Sequence, residues 1–369
     1  MSRTALIILG SVAIAAACGR GGEDASARPG RLVLIDSVTF EESDSVYLGA
    51  PLHVTAGSDG SLFVSDGLDS HVLQFSRAGR LVRRFGRKGS GPGELSDPLP
   101  TAIVGDSMLA VAEWGNRRTS LFNISSGAFV RSIAHEGAPF WMEARHDTLW
   151  ISGVNVPRKT LLASWRVTED SLRYFGPVPP SYRAAPSLMA EHGYATLARS
   201  GDTIFVGLTG SQEIHLARPD GTPIGTVDIP AVRRRGVPAD IVERFRQTPV
   251  TLTNEEIASM GSSLIALHRL PSGEIGAVHL DVTLTEKLLT AEGFVSILSA
   301  DRTRACPDTP VPLGKDGRPA VTFRGDTLVV VEQRVVSATR AVTLARRYRV
   351  DTSQCAWRPV AGSRPGASS

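Results

Sequence analysis

One short segment of this chain combines residue types that bind ligands. It brings together a carboxylate, an indole ring, a side-chain amide and a guanidinium, on Glu113, Trp114, Asn116 and Arg117. A guanidinium can bind a carboxylate or a sulfate through two parallel hydrogen bonds, and an indole offers a flat apolar surface beside it. We therefore expect ligand binding at this segment.

A second set of candidate binding residues lies further along the chain. Asn155 and Arg158 repeat the amide and the guanidinium. Tyr182 and Arg183 belong to a later Pro-rich stretch that could cover the site. Each candidate also has a structural alternative, because an indole can pack between elements, an asparagine can cap a turn and an arginine can remain solvated. The residue types alone leave both alternatives open.

Acidic residues in separate segments are candidate metal ligands. Ca²⁺ takes oxygen ligands from separate loops, so these carboxylates could converge on one calcium ion. No closely spaced pair of histidines or cysteines occurs in the sequence, and a zinc motif is therefore absent. We expect no cofactor, with calcium as the alternative. The candidate ligands are Asp66, Glu113, Asp281 and Glu332.

A recurring unit must position all of these residues. Each copy has a Gly/Asp turn, short strands rich in Val, Leu, Ile and Phe, polar turns between them, and a further strand before the Gly/Asp turn. Such a four-stranded meander cannot bury both faces alone, so the copies should stack radially. The sequence therefore predicts an all-β, six-bladed β-propeller. The copies begin at residues 57, 105, 146, 200, 271 and 324.

Two insertions interrupt the predicted blades, at residues 177–194 and 231–263. The second should contain two short helices between blades 4 and 5. Pro238 suits a first helical turn, and Thr253 with Glu256 fits a capping box. A ring of blades must also close, because an open ring exposes a sheet edge. We predict that the strand at residues 31–40 completes the last blade.

The N-terminal residues predict export. Residues 5–17 form an apolar run too short to cross about 30 Å of hydrocarbon, and Arg3 precedes it. The run ends Ala-Ala-Ala-Cys18-Gly, which resembles a bacterial lipobox, and this resemblance implies that Cys18 carries a lipid. The alternative is an ordinary cleaved signal. We predict a lipoprotein signal peptide at 1–17, a flexible tether at 18–30 and a propeller at 31–369, anchored in the cell envelope and, from Gly19, at the outer membrane.

The two remaining cysteines, Cys306 and Cys355, form an even pair in a chain that we expect to be exported. Such a pair favours a disulfide, with two buried free thiols as the alternative. Charge argues against one class of partner. Lys and Arg number 40 against 37 Asp and Glu, for a net charge of +3 without a basic block, so we expect no nucleic-acid partner.

Residues 57–119 resemble the NHL repeat family. The resemblance rests on a Gly-rich stretch with a Gly-Glu pair and a downstream Pro, then a strand that ends in Ala and an acid, then Gly-Asn. Glu113 stands where the family usually has Asp. The resemblance implies a bacterial six-bladed β-propeller lipoprotein of NHL-like type. The residues that carry it are Gly89, Gly91, Gly93, Glu94, Pro98, Ala112, Gly115 and Asn116.

Fold alone does not decide among functions, because propellers host many unrelated activities. In a propeller, the loops between second and third strands share one face with the connections between blades, and function concentrates on such loops. We expect a non-catalytic protein that binds a peptide, a glycan or an envelope protein on this looped face. The alternatives are a calcium-dependent lactonase or lyase and an envelope assembly scaffold.

Overall fold

A computed structural model describes residues 28–43, 46–155, 158–178, 195–208, 213–229, 237–247, 251–260, 262–285, 288–313, 319–337 and 340–360. Their strands form six antiparallel sheets. Each sheet is one blade, and the innermost strands of successive blades contact one another around a closed ring. The six-bladed β-propeller predicted from the repeat is confirmed.

Each blade runs along the chain from its innermost to its outermost strand. The first strand of the chain, β1 (Arg31–Thr39), precedes blade 1. Blade 1 contains β2 (Pro51–Ala56), β3 (Leu62–Asp66), β4 (His71–Phe75) and β5 (Leu81–Phe85). Blade 2 contains β6 (Pro98–Val104), β7 (Met108–Glu113), β8 (Arg118–Asn123) and β9 (Phe129–Ala134). Blade 3 contains β10 (Ala138–Arg145), β11 (Thr148–Asn155), β12 (Thr160–Arg166) and β13 (Arg173–Pro177).

The remaining blades follow the same order. Blade 4 contains β14 (Ala195–Ser200), β15 (Thr203–Leu208), β16 (Glu213–Ala217) and β17 (Pro223–Asp228). Blade 5 contains β18 (Ser262–Arg269), β19 (Ile275–Thr285), β20 (Leu288–Leu298), β21 (Arg304–Val311) and β25 (Arg358–Pro359). Blade 6 contains β22 (Ala320–Arg324), β23 (Thr327–Ser337), β24 (Arg340–Asp351) and β1.

The N-terminal strand closes the ring, as predicted. β1 pairs antiparallel with β24, from Arg31 opposite Asp351 to Thr39 opposite Leu344. Blade 6 is therefore built from both ends of the described chain. This pairing covers the edge that β24 would otherwise expose.

The C-terminal segment leaves blade 6 and is fastened to blade 5. Cys306 on β21 and Cys355, which follows β24, form a disulfide with the sulfurs 2.02 Å apart and the Cα atoms 5.9 Å apart. Next to it, β25 pairs with β21 as a fifth strand. Blades 5 and 6 are thus joined covalently beyond the ring itself.

The core consists of apolar clusters between adjacent blades. Between blades 1 and 2, for example, Phe63 and Phe85 pack against Leu109 and Phe122. Trp141, on the innermost strand of blade 3, reaches blade 1, where its ring meets that of His53 edge-on with 4.8 Å between centroids. Trp141 also packs against the clusters between blades 3 and 4 and between blades 5 and 6.

The insertion before blade 5 contains two short helices, α1 (Ala239–Gln247) and α2 (Asn254–Met260). The capping box is present: the Thr253 amide donates to Glu256 Oε2 at 2.8 Å, and the Glu256 amide donates to Thr253 Oγ1 at 3.3 Å. α2 packs against β19 and β20. The other insertion falls almost wholly outside the described residues. Neither described helix is long and apolar enough to cross a membrane.

The two faces of the ring differ in relief. The looped face carries the connections between second and third strands and those between blades, and the opposite face, here called the turn face, carries the short turns. β19 and β23 have 11 residues each, where β3 has five. At about 3.3 Å per residue, these two strands are roughly 20 Å longer than β3, and the additional length lies toward the looped face. Blades 5 and 6 therefore form a wall beside a lower floor on blades 1 to 3.

Candidate functional site

Glu113, the last residue of β7, is fully buried and fully engaged. One carboxylate oxygen accepts from Arg118 Nε at 2.8 Å and from Ser120 Oγ at 2.6 Å. The other oxygen accepts from the Ser96 amide at 3.1 Å and from Asn116 Nδ2 at 2.5 Å. The structure therefore places Glu113 inside the packing of the looped face, where it joins the inter-blade connection to the turn after β7.

Asp66 occupies the same position in blade 1 and also hydrogen-bonds to two loops. It ends β3, is fully buried, and accepts hydrogen bonds from the amides of Gly49 and Ala50 in the connection that enters the blade. The amides of Leu68 and Asp69 donate to its other oxygen at 2.7 and 3.0 Å. A carboxylate at this repeat position therefore organises two loops at once.

The glycine-rich loop that resembles the NHL pattern is held by two side chains. Asn116 Nδ2 donates to the Gly89 carbonyl at 3.0 Å. Arg118 donates to the carbonyls of Ser90, Gly91 and Glu94 at 3.1, 2.9 and 2.7 Å. Sequence reasoning missed Arg118. The available signal was its place as the first residue after the turn, directly across from Glu113 in the β7–β8 pair.

The other two acidic candidates lie on the wall side of the ring. Glu332 in β23 is buried and pairs with Arg346 at 2.9 Å. Asp281 in β19 is buried opposite Glu292 of β20. The four candidates thus belong to four different blades. The described part of the chain contains no group of three or more His, Cys, Asp or Glu residues that could hold a metal ion.

The arginine candidates have different surroundings. Arg158 forms a two-pronged ion pair with Glu136, with Nη2 2.6 Å from Oε1, and its guanidinium lies 5.0 Å from the Tyr174 ring centroid. Arg117 is exposed in the loop after β7, and Asn155 is the last residue of β11. Tyr182, Arg183 and the lipidation candidate Cys18 lie outside the described residues.

A set of exposed and half-buried apolar side chains lies on the looped face, at the start of the innermost strands and in the loops beside them. The innermost strands of blades 1, 2 and 3 each have a proline followed by an apolar residue at or next to their first position, and each carries a β-bulge there. A bulge re-aims the side chain of the extra residue, and such features cluster next to binding sites. The residues at the bulges are Leu52, Leu99 and Phe140.

Two loop residues extend this set. The rings of Trp114 and Phe140 meet edge-on, with 5.6 Å between centroids. Leu68 follows Gly67, where Leu52 packs so closely that an added Cβ would lie 2.4 Å from Leu52 Cδ1. We call Leu52, Leu68, Leu99, Trp114 and Phe140 the mouth cluster. Among these residues, sequence reasoning identified Trp114. The signal for the bulge residues was the recurring Pro-apolar dipeptide at 51–52, 98–99 and 139–140.

Three histidines in different blades are kept neutral by burial, which lowers the pKa of His53, His135 and His268 to about 4. His53 Nδ1 accepts from the Thr101 amide at 3.3 Å. His135 Nε2 lies 2.6 Å from Thr119 Oγ1. A base whose pKa falls on folding contributes stability that is fully present above its unfolded pKa, about 6.5, and is lost as the pH falls toward 4.

We expect His135→Gln to flatten the loss of stability in acid. Between pH 6.5 and 4 the wild-type unfolding free energy should fall about 1.4 kcal/mol per pH unit more steeply than that of the variant, because one fewer proton is taken up on unfolding. Urea denaturation across this range measures the slope. His146→Gln, at an exposed turn, is the control and should keep the wild-type slope. Equal slopes for wild type and His135→Gln would contradict the expectation.

Comparisons with known proteins agree on the fold. No family model matches the chain. Over 119 residues, 30% of the chain, it is 34% identical to peptidylglycine alpha-amidating monooxygenase of Rattus norvegicus, and the match spans 12% of that protein's length. A solved member of the DUF4221 family from Bacteroides vulgatus has a TM-score of 0.63 at 12% identity, over 88% of this chain and 99% of that one.

A catalytically inactive variant of virginiamycin B lyase from Staphylococcus aureus, solved with quinupristin, is also similar. Its TM-score is 0.50 at 11% identity, over 85% of this chain and 98% of that one. Identities this low establish likeness of fold alone. Together with the sheet topology, they identify the chain as a six-bladed β-propeller.

Proposed function

We propose that this protein is an exported NHL-like propeller, anchored in the cell envelope through Cys18, that binds a partner on its looped face without catalysing a reaction. The mouth cluster is the observation that carries the proposal. Leu68 is 57% exposed, Leu52 45% and Trp114 42%. When exposed apolar side chains group together on a protein surface, they mark an interaction site more often than a surface that stays in contact with water.

The shape of the looped face supports a partner that lies across it. The mouth cluster occupies the floor on blades 1 to 3, and the hairpins of blades 5 and 6 rise beside it. Val335 and Val336, at the end of β23, are both more than half exposed. A partner with apolar side chains could therefore contact both the floor and the wall.

Among a peptide, a glycan and an envelope protein, the polar groups favour a peptide segment, free or within a protein. A glycan needs side-chain donors and acceptors beside an aromatic ring. The polar side chains beside Trp114 are already engaged: Glu113, Asn116 and Arg118 hydrogen-bond to one another and to the glycine-rich loop. The side chains that remain at the surface around Trp114 are mainly apolar. The exposed Arg117 is available to bind a carboxylate of the partner.

Peptide binding should depend on the mouth cluster. We expect immobilised short peptides rich in Leu and Phe to retain the protein, and Trp114→Ala with Phe140→Ala to weaken binding at least tenfold, because buried aromatic anchors dominate such interfaces. Fluorescence anisotropy with one labelled peptide gives the affinity. Val130→Ala removes a similarly exposed apolar group from β9, outside the mouth cluster, and should change nothing.

Two results would count against this proposal. One is equal peptide affinity of the wild type and the Trp114/Phe140 double variant. The other is retention on soluble glycans without retention on any peptide. Far-UV circular dichroism and the melting temperature of each variant establish that the propeller remains folded.

A further inference from the structure

A small pocket lies on the turn face, at the seam where blade 6 meets blade 1. Its volume is about 50 Å³. One water needs roughly 10–15 Å³ on this measure, so the pocket has room for a few water molecules or one compact ion. Its walls are apolar apart from Thr327 and three arginines, which are Arg77, Arg324 and Arg347.

Two of the three guanidinium groups share one bonded carboxylate. Arg347 is buried, and its Nη1 lies 2.8 Å from Asp36 Oδ1. Arg77 Nη2 lies 3.6 Å from the other oxygen of Asp36. Arg324 donates to the carbonyl of Ser58. The next acid, Asp59, accepts from the amide and the hydroxyl of Ser61 at 2.9 and 2.7 Å. Asp326 accepts from the Thr327 hydroxyl at 3.3 Å. The lining residues themselves thus include three arginines and no carboxylate, and the acids Asp36, Asp59 and Asp326 lie beside them.

Two of the arginines converge from different blades. Gly60, in the first turn of blade 1, lies between them: an added Cβ would be 3.4 Å from Arg324 Nη1 and 3.4 Å from Arg77 Cδ. The Gly60 φ of +87° is a left-handed conformation that favours glycine. Arg347 approaches from β24, where its Nη2 donates to the Arg77 carbonyl at 3.2 Å. The three side chains thus line one small, partly open space.

We propose that this pocket binds the phosphate or sulfate group of a small oxyanion ligand. Guanidinium groups bind tetrahedral oxyanions through paired N–H donors, and the attraction is stronger at a partly buried group such as Arg347 than in open solvent. The pocket suits such an oxyanion because it has room for one compact ion and because three arginine side chains converge on it from two blades. It lies on the face opposite the mouth cluster and is independent of peptide binding there.

A phosphate group can come from a free anion or from a phospholipid headgroup. β1 begins on the turn face at Arg31. If Cys18 anchors the chain, as proposed above, this face is the one nearest the anchor. The two sources share the same chemistry in the pocket, and two arms of one experiment separate them.

The first arm measures affinity for inorganic phosphate and sulfate by isothermal titration calorimetry at constant ionic strength, with chloride as the reference. The second measures co-sedimentation with phosphatidylglycerol vesicles against phosphatidylcholine vesicles. We expect saturable binding in at least one arm, weakened tenfold or more by Arg77→Gln with Arg324→Gln. Binding in the first arm alone identifies a free anion, and selective binding in the second identifies a headgroup.

Arg166→Gln is a matched control. The Arg166 side chain is 57% exposed and lies 3.5 Å from Asp147, and the Arg77 side chain is 58% exposed and lies 3.6 Å from Asp36. This control should bind like the wild type. No saturable binding in either arm, or equal binding by the Arg77/Arg324 variant, would overturn the proposal. Peptide affinity of the same variant tests the looped face separately, so failure at one face is distinguishable from failure at the other.

Discussion

Replacing Glu113 with glutamine should lower the free energy of unfolding by about 3–5 kcal/mol and release the glycine-rich loop at 87–94. The neutral amide leaves the largely buried Arg118 without its charged partner. Its NH₂ group also faces hydrogen-bond donors that the carboxylate oxygen accepted from. Since Arg118 and Asn116 hold the loop only when Glu113 orients them, the loss should spread beyond one side chain.

Urea denaturation gives the free energy, and limited proteolysis reports whether the loop at 87–94 becomes accessible. Glu136→Gln is the control, because Glu136 is half exposed and its surface ion pair with Arg158 should contribute no more than about 1 kcal/mol. Equal destabilisation by the two variants would show that Glu113 does not hold the two loops together.

The calcium alternative is tested by the melting temperature of the wild type with EDTA and with Ca²⁺. A melting temperature that rises with Ca²⁺, and no longer rises in Glu113→Gln, would support that alternative.

Removing the disulfide should have an effect of similar size. Cys306 and Cys355 are 49 positions apart, and opening a loop of that length costs about 4 kcal/mol in the chain-entropy account. We expect Cys306→Ala with Cys355→Ala to lower the unfolding free energy by this amount. The C-terminal segment at 352–360 should also become sensitive to protease.

The measurement is urea denaturation of wild type and variant, each with and without reductant. Reductant should lower the unfolding free energy of the wild type to that of the variant and leave the unfolding free energy of the variant unchanged. A variant as stable as the oxidised wild type would mean that the pairing of β25 with β21 holds the segment without the bond.

Local patterns were sufficient to predict the propeller. Short Val- and Leu-rich strands, Gly/Asp turns and their recurrence specify a blade, and a blade requires neighbours to cover its faces. The capping box at Thr253 and Glu256 was equally readable, because both partners lie within one helical turn. The closing strand followed from the need to cover a sheet edge.

The chemistry of the looped face was harder to predict, because it depends on contacts between distant segments. Glu113 looks like an available carboxylate in the sequence, and its burial arises only when Ser96 and the glycine-rich loop fold over it. The positions of Leu52, which is exposed, and of Phe140, which is half-buried, likewise depend on bulges that propensity does not encode. An apolar residue after proline resembles an ordinary strand start until the bulge is known.

The closure of blade 6 has a consequence for how the chain folds. Arg31 pairs with Asp351, so a strand near the start of the described residues pairs with one near their end. Contacts between positions so far apart in the chain form slowly, because loop closure costs entropy before any pairing repays it. Until β24 is made, β1 has no partner and β22 and β23 are incomplete. A chain that stops before β24 would therefore leave β1 and β23 each without a neighbouring strand, at opposite ends of the described residues.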